Sequence, residues 1–443
     1  MLKSFIIGGV HPFENKLSAG KKIEVLPLPS IVIIPVTQHI GAPAKILVSK
    51  GDKVKAGQKI AESSGFVSAN THSSVSGTVL KADNFPDSSG YRKLAVQIQV
   101  EGDEWAEGID RSPEIIKEFI LTPEEIIKKV NESGIVGLGG ATFPSHVKLS
   151  VPQGRKAEYL IVNGVECEPY LTSDHALMLE KGPEIIVGIR IIMKALKVEK
   201  AIIGIENNKP DAIRLMTGLV ADQKGISVQP LKVKYPQGGE KQLISALLGR
   251  EVPSGGLPID VGVIAFNAGS VFAVYEAVQK NKPLFERVVT VTGKSLKNPS
   301  NFLVRTGTPV QTLIDAAGGL PEDTGKIING GPMMGKALNS LDVPVVKGTS
   351  GILVIPSKES RRIESDSCIR CSKCIGACPM GLEPYLLMNL LEKELYERAE
   401  FEKVMDCMEC GSCVYICPSH RPLLDFIRLG KVKVGQIIRA RKN

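Results

Sequence analysis

Downstream of residue 112 the chain switches repeatedly between two hydrophobic periods. Residues 159–162, 201–205 and 261–266 are short unbroken apolar runs, the pattern of parallel strands covered on both faces. Between them, 174–197, 209–223 and 239–248 carry apolar residues at helical spacing, which predicts an α/β domain ending near 281. Helices are also predicted over 114–120 and 123–133, the second with Thr122 as N-cap and Pro123 at its first helical position. Upstream, residues 24–100 read as short β segments at 32–36, 44–48, 59–61, 77–80 and 94–100, separated by turn residues. Strand character returns over 288–350, around Val289, with one helix at 310–317 and glycine turns at Gly318-Gly319 and Gly330-Gly331. Finally, 383–403 predicts a helix whose Leu387, Leu390, Leu391 and Leu395 form a single apolar stripe.

Cysteine spacing adds chemistry to this outline. Eight of the nine cysteines fall in two copies of one run, Cys368-x2-Cys371-x2-Cys374-x3-Cys378-Pro379 and Cys407-x2-Cys410-x2-Cys413-x3-Cys417-Pro418. This is the bacterial ferredoxin run, whose fourth cysteine ligates the cluster of the other run. Three cysteines at i, i+3 and i+6 can wrap one cube, while the fourth begins a segment leading away. The expected sets are therefore Cys368, Cys371, Cys374 and Cys417 on one [4Fe–4S] cluster, and Cys407, Cys410, Cys413 and Cys378 on the other. A zinc ribbon would use two separated pairs of cysteines instead. The helical character of 383–403 predicts an α-helical ferredoxin arrangement rather than a compact βαββαβ one.

A length of 443 residues suggests about three domains. At 43% hydrophobic and 23% charged residues the composition is that of ordinary globular protein. The opening residues are too short and glycine-broken for a signal peptide, and no stretch approaches the ~18 uncharged apolar residues of a membrane span. Residues 185–196 come nearest, but Arg190 and Lys194 interrupt them. Unpaired thiols in such a chain fit a reducing cytoplasm. The net charge of +8 is partly terminal, with Arg428, Lys431, Lys433, Arg439, Arg441 and Lys442 crowding the end. No nucleic-acid motif accompanies them, so the basic tail at 431–443 reads either as a solvated end or as a docking strip.

A glycine-rich loop, Gly134-Ile-Val-Gly137-Leu-Gly139-Gly140-Ala141-Thr142-Phe143-Pro144, lets backbone N–H groups approach an anion. Lys148 supplies a cation just beyond it. A predicted helix precedes the loop, so it lacks the strand-first context of a Rossmann motif. After the strand at 159–162 come Asn163, Glu166, Cys167, Glu168 and Pro169, at the carboxyl end of a strand, where α/β sheets hold ligands. Carboxylates there can accept hydrogen bonds from ribose hydroxyls or a carboxamide; an exposed acidic loop is the alternative reading. Cys167 reads as a packed thiol and His175 as a structural histidine.

Two resemblances now join these pieces. Residues 51–60 resemble the lipoyl and biotinyl barrel-sandwich module, but 66–79 contain no lysine to modify, so this is a packing module and not a carrier arm. The glycine loop with Phe143, Pro144 and Lys148, the Asn163-x-x-Glu166-x-Glu168-Pro169 loop and Tyr235-Pro-Gln-Gly-Gly-Glu240 resemble the FMN- and NADH-binding subunit of respiratory complex I. From end to end the chain resembles the RnfC family, found in the Rnf complex, a ferredoxin:NAD oxidoreductase coupled to ion translocation. That resemblance implies a multidomain α/β and β chain: a barrel-sandwich hybrid at 1–105, an α/β flavoprotein core at 112–281, an SLBB-like β-grasp module at 288–350, and a helical ferredoxin domain with two [4Fe–4S] clusters at 360–430. It places FMN against Gly137, Gly139, Gly140, Ala141, Lys148, Asn163 and Asn267, and NAD(H) against Phe143, Glu166, Glu168 and Glu240. It implies other Rnf-type subunits as partners, some membrane-embedded and one a ferredoxin-like iron–sulfur protein, with peripheral seating at the cytoplasmic face of the membrane. Three positions depart from complex I: Thr142 for a glycine, Val165 for an aspartate, and Gly239 for a glutamate. Two other readings stay open here, a microcompartment cobalamin reductase and a non-catalytic iron–sulfur relay. In the former the barrel module follows the clusters, whereas here it precedes the core.

Overall fold

The computed structural model describes residues 2–442. Its centre is a parallel four-stranded sheet in the order Ile226–Leu231, Lys200–Glu206, Tyr159–Asn163, Val263–Asn267. These strands are apolar throughout because helices cover both faces. Gly182–Leu196 and Ala268–Gln279 pack on one side, and Glu240–Leu248 on the other. The chain moves from Tyr159–Asn163 in one direction across the sheet, then returns to lay Val263–Asn267 on the opposite flank. That reversal opens a crevice at the carboxyl ends of these two strands.

Local signals were followed closely at some helices and overridden at others. Pro123–Glu132 is helical with the full Thr122–Glu125 capping box. The expected helix over 114–120 is absent. There the Ile116 N–H donates to the Tyr275 hydroxyl, and the carbonyls of Ile116 and Glu118 accept from Gln279 Nε2. With its backbone groups satisfied by side chains of another helix, the segment has no need of a helical ladder. The single helix expected over 174–197 is two, Ser173–Glu180 and Gly182–Leu196, divided just before Pro183.

The barrel-sandwich module pairs an antiparallel four-stranded sheet with a three-stranded one and closes over Val32, Ile34, Val54, Ile60, Val79 and Ile98. The β-grasp sheet is larger than its expected limits. Its six strands include Gly351–Pro356 in the interior and Ile23–Val25 at one edge, parallel to Ser300–Arg305. Residues 1–25 thus lie outside the barrel. Ahead of that edge strand the chain straps across the core, with Lys3 bridged to Leu231 and Val10 to Tyr235.

The last module holds its cysteines between helices. The apolar stripe expected as one helix over 383–403 is split into Pro384–Glu392 and Tyr396–Phe401, with Glu394 between them at φ 55°. The basic end is not a tail. Leu423–Lys442 is one helix, so the boundary expected between 430 and 431 falls inside it. Ile427 and Val434 are buried against Leu387 and Leu391, and Lys431 donates to the Cys407 carbonyl and to Glu409. Among the described residues no helix is long and apolar enough to cross a membrane.

Candidate functional site

Asn163 and Asn267 stand opposite each other at the carboxyl ends of adjacent strands, on the two sides of the crevice. Asn267 caps the helix Ala268–Gln279, accepting from the N–H groups of Gly269 and Ser270, and donates 2.6 Å to Asp174 Oδ2. Asn163 donates to the Gly238 carbonyl at 2.8 Å and accepts from the Val165 N–H. The glycine loop closes above them. Gly137 N–H meets the Phe143 carbonyl at 2.9 Å, the Leu138 N–H meets Ser270 Oγ at 2.8 Å, and Gly139 lies so close to Asn267 that an added Cβ would fall 2.8 Å from its Nδ2. Lys148 donates to the Ala265 carbonyl at 3.0 Å and to Glu240 at 2.9 Å. Glycine loop, Lys148, Asn163, Glu240 and Asn267 are therefore brought to one crevice. Among the described residues, the N–H groups of Gly139, Gly140 and Ala141 meet no protein acceptor, and these three residues are open to solvent on the crevice side. A row of free amides at a strand crevice fits an anionic ligand such as FMN. Thr142 holds a φ of 53°, the left-handed conformation that explains why the resemblance expects glycine there.

The two loop carboxylates have other partners. Glu166 accepts from Ser173 Oγ and from the N–H groups of Asp174 and His175, so it caps the helix Ser173–Glu180. Asp174, wholly buried beside it, has its carboxyl pushed up to about 7 by burial, with the Glu166 charge adding to the shift. Glu168 faces away from the crevice, accepting from the Met333 and Met334 N–H groups of the β-grasp turn. Its carboxyl is likewise raised to about 7 by burial, although those amide bonds oppose the shift. Cys167 accepts from Gly238 N–H, and burial pushes its thiol up, away from nucleophilic use. His175 pairs with Asp211 at 2.8 Å.

Both cysteine runs adopt the same backbone. The residues flanking each second cysteine are left-handed: Arg370 and Ser372 around Cys371, Glu409 and Gly411 around Cys410. So is the third residue past each fourth cysteine, Gly381 and His420. Cys378 of the first run joins Cys407, Cys410 and Cys413 of the second around one cavity, otherwise lined by apolar residues such as Met380, Leu387 and Ile427. Cys417 lies beside Cys374, whose thiol is raised by burial and by that neighbour. Among the described residues no three ligating side chains converge as a single metal ion would need; these thiols ring a space, as a cube requires. The Cys378 set lies against the core. Tyr235 Oη donates 2.8 Å to the Cys410 carbonyl, and Gln242 Nε2 donates 3.1 Å to the Pro379 carbonyl. Cys368 and Cys371 are exposed.

Known proteins resemble this chain module by module. The Nuo51 FMN-binding domain matches residues 130–276, the RnfC barrel sandwich hybrid domain 4–103, the SLBB domain 288–337 and the 4Fe-4S dicluster domain 360–418. The RnfC protein of the proton-translocating ferredoxin:NAD(+) oxidoreductase complex of Clostridium ljungdahlii is 50% identical over 97% of this chain and 93% of its own length. The chain belongs to the RnfC family. Two further RnfC proteins come from the Na(+)-translocating ferredoxin:NAD(+) oxidoreductase complex of Acetobacterium woodii, 44% identical over 96% of each chain, and from the ion-translocating oxidoreductase complex of Rhodobacter capsulatus, 40% identical over 98% of this chain and 84% of its own. The RnfC chain described here thus carries an FMN-binding domain and a 4Fe-4S dicluster domain. Sequence reasoning overlooked Arg287 and Lys347, buried cations that hold the glycine loop from below. A charged residue in an otherwise apolar strand was the available signal for Arg287.

Proposed function

We propose that this RnfC protein is the NAD-side electron-transfer subunit of an ion-translocating ferredoxin:NAD oxidoreductase, exchanging electrons between NAD(H) and two [4Fe–4S] clusters by way of FMN. When bound, FMN supplies the step between hydride transfer and single-electron transfer. The observation carrying the reading is the contact between crevice and cysteines: the loop 235–242 that borders Asn163 through Gly238 also holds Cys410 and Pro379. Gly137, Gly139, Gly140, Ala141, Lys148, Asn163 and Asn267 would hold FMN, with Phe143 and Glu240 toward the nucleotide. Glu166 and Glu168 would act by shaping the loop between crevice and clusters, since both carboxylates are taken by backbone amides. Cys378, Cys407, Cys410 and Cys413 would form the inner cluster site, and Cys368, Cys371, Cys374 and Cys417 the outer one. We infer partner subunits of the same complex, membrane-embedded ones and a ferredoxin-like one among them, meeting the outer site at the cytoplasmic face. Anaerobic titration of the reconstituted chain with NADH, followed in the flavin and cluster bands, tests this: both bands should bleach. A protein that takes up iron but no FMN, or stays silent to NADH, ends the reading.

A further inference from the structure

Two cations lie buried beneath the glycine loop, and neither belongs to the motif. Arg287, on the β-grasp strand Glu286–Thr292, is only 6% exposed; it donates from Nη1 to the carbonyls of Leu138 and Lys347, and from Nε to that of Val288. Lys347, 1% exposed, donates from Nζ to the carbonyls of Asn70 and Gly134 at 2.8 and 2.7 Å. Every acceptor is a neutral carbonyl. Among the described residues no carboxylate stands within ion-pair distance of either side chain. Asp174 and Glu166 act on Arg287 only through space, and burial lowers Asp174's tendency to ionise. A buried charge without a counter-ion is costly, so this pair calls for an anion.

The backbone shows where that anion would sit. A trans peptide points its C=O and the following N–H in opposite directions. Arg287 draws the Leu138 carbonyl inward, which turns the Gly139 N–H outward, into the row of free amides described above. We propose that Arg287, with Lys347 at the start of the loop, is the positioning cation of the flavin site: the β-grasp module supplies the positive charge that orients the loop amides and offsets the charge of FMN. This gives the β-grasp module a part in cofactor binding that its glycine turns did not reveal. The inference rests on the FMN reading of the crevice.

The test uses the full chain with both clusters intact, freed of flavin, and measures dissociation constants for FMN and riboflavin by fluorescence quenching. Arg287→Gln keeps a donor toward Leu138 but removes the charge. It should weaken FMN about tenfold or more and riboflavin less than about threefold, and should move the flavin midpoint potential to a more negative value. Arg287→Lys should restore FMN affinity to within about threefold. If Arg287→Gln does not fold, Lys347→Gln carries the same expectations. Unchanged FMN affinity and potential, or equal losses for FMN and riboflavin with no rescue by lysine, would overturn the proposal while leaving the FMN reading in place. A wild-type chain that binds no FMN would overturn both.

Discussion

Glu168 sits where three modules meet. It accepts from the Met333 and Met334 N–H groups of the β-grasp turn, and Tyr235, which contacts it at 3.4 Å, donates onward to the Cys410 carbonyl. Burial raises its carboxyl from the ordinary range to about 7. Between those two values the folded chain holds a proton that the unfolded chain has released, so this group's contribution to stability falls as pH rises through the window. Glu168→Gln removes that dependence. Wild type should therefore lose stability relative to Glu168→Gln by on the order of 2–3 kcal/mol as pH climbs from about 5 to 8. Anaerobic denaturant midpoints across that range measure it; a constant difference between the two proteins would show that Glu168 does not titrate there. Gly139 gives a second handle. A methyl at this position would meet Asn267 Nδ2 at 2.8 Å and push on the cap of the helix Ala268–Gln279. Gly139→Ala should cost about 1 kcal/mol of stability through the cap and weaken FMN retention, read as free flavin after gel filtration. Full retention at wild-type stability would mean that the loop and Asn267 can separate freely.

At the scale of elements, the helices Pro384–Glu392 and Leu423–Lys442 touch most closely at Gly430, where an added Cβ would fall 2.2 Å from Leu391 Cδ2. Leu387 and Leu391 share one apolar cluster with Cys378 and Ile427, so helix spacing sets the width of the inner cysteine cavity. Gly430→Ala should destabilise this domain by about 1–3 kcal/mol and speed loss of cluster absorbance under a chelator; wild-type decay would disprove the link. What was readable in the sequence follows the same logic of local against distant causes. The parallel strands, the capped helix after Thr122 and the twin cysteine runs have signals within a few residues of themselves. The edge strand Ile23–Val25 does not: three residues pair with Asn301, Phe302 and Leu303, and only the distant strand explains them. Residues 114–120 lost their helix to Tyr275 and Gln279, also distant. The basic end looked solvated because its partners, Glu409 and the Cys407 carbonyl, precede it by a loop whose course the charges could not reveal. In the crevice, the glycine loop, Lys148 and Asn267 were legible as motif residues. Arg287 and Lys347 reach it from another module, which no local pattern can announce.

Across the whole molecule the two cysteine sets differ in what surrounds them. Cys378, Cys410 and Cys413 are buried, and the Cys378–Pro379 segment and Cys410 are anchored to the core through Gln242 and Tyr235. Even the N-terminal strap takes part, with Gly9 N–H donating to the Ala377 carbonyl at 2.9 Å. Cys368 and Cys371 are exposed on the far run. A chain of contacts thus leads from crevice to inner set, while the outer set faces whatever docks there. The order of reduction follows: crevice, inner cluster, outer cluster, partner. Two variants separate this order from its reverse. Cys371→Ala disables the outer set, and NADH should still bleach the flavin band and the inner cluster, while reduction of an added protein acceptor falls at least about tenfold. Cys410→Ala disables the inner set, and NADH should then bleach the flavin band but leave the outer cluster oxidised on the same timescale. Rapid-mixing absorbance with low-temperature electron paramagnetic resonance distinguishes the clusters. Should the outer cluster of Cys410→Ala be reduced at the wild-type rate, electrons reach it without the inner set, and the contacts through Tyr235 and Gln242 serve only to hold the domains together.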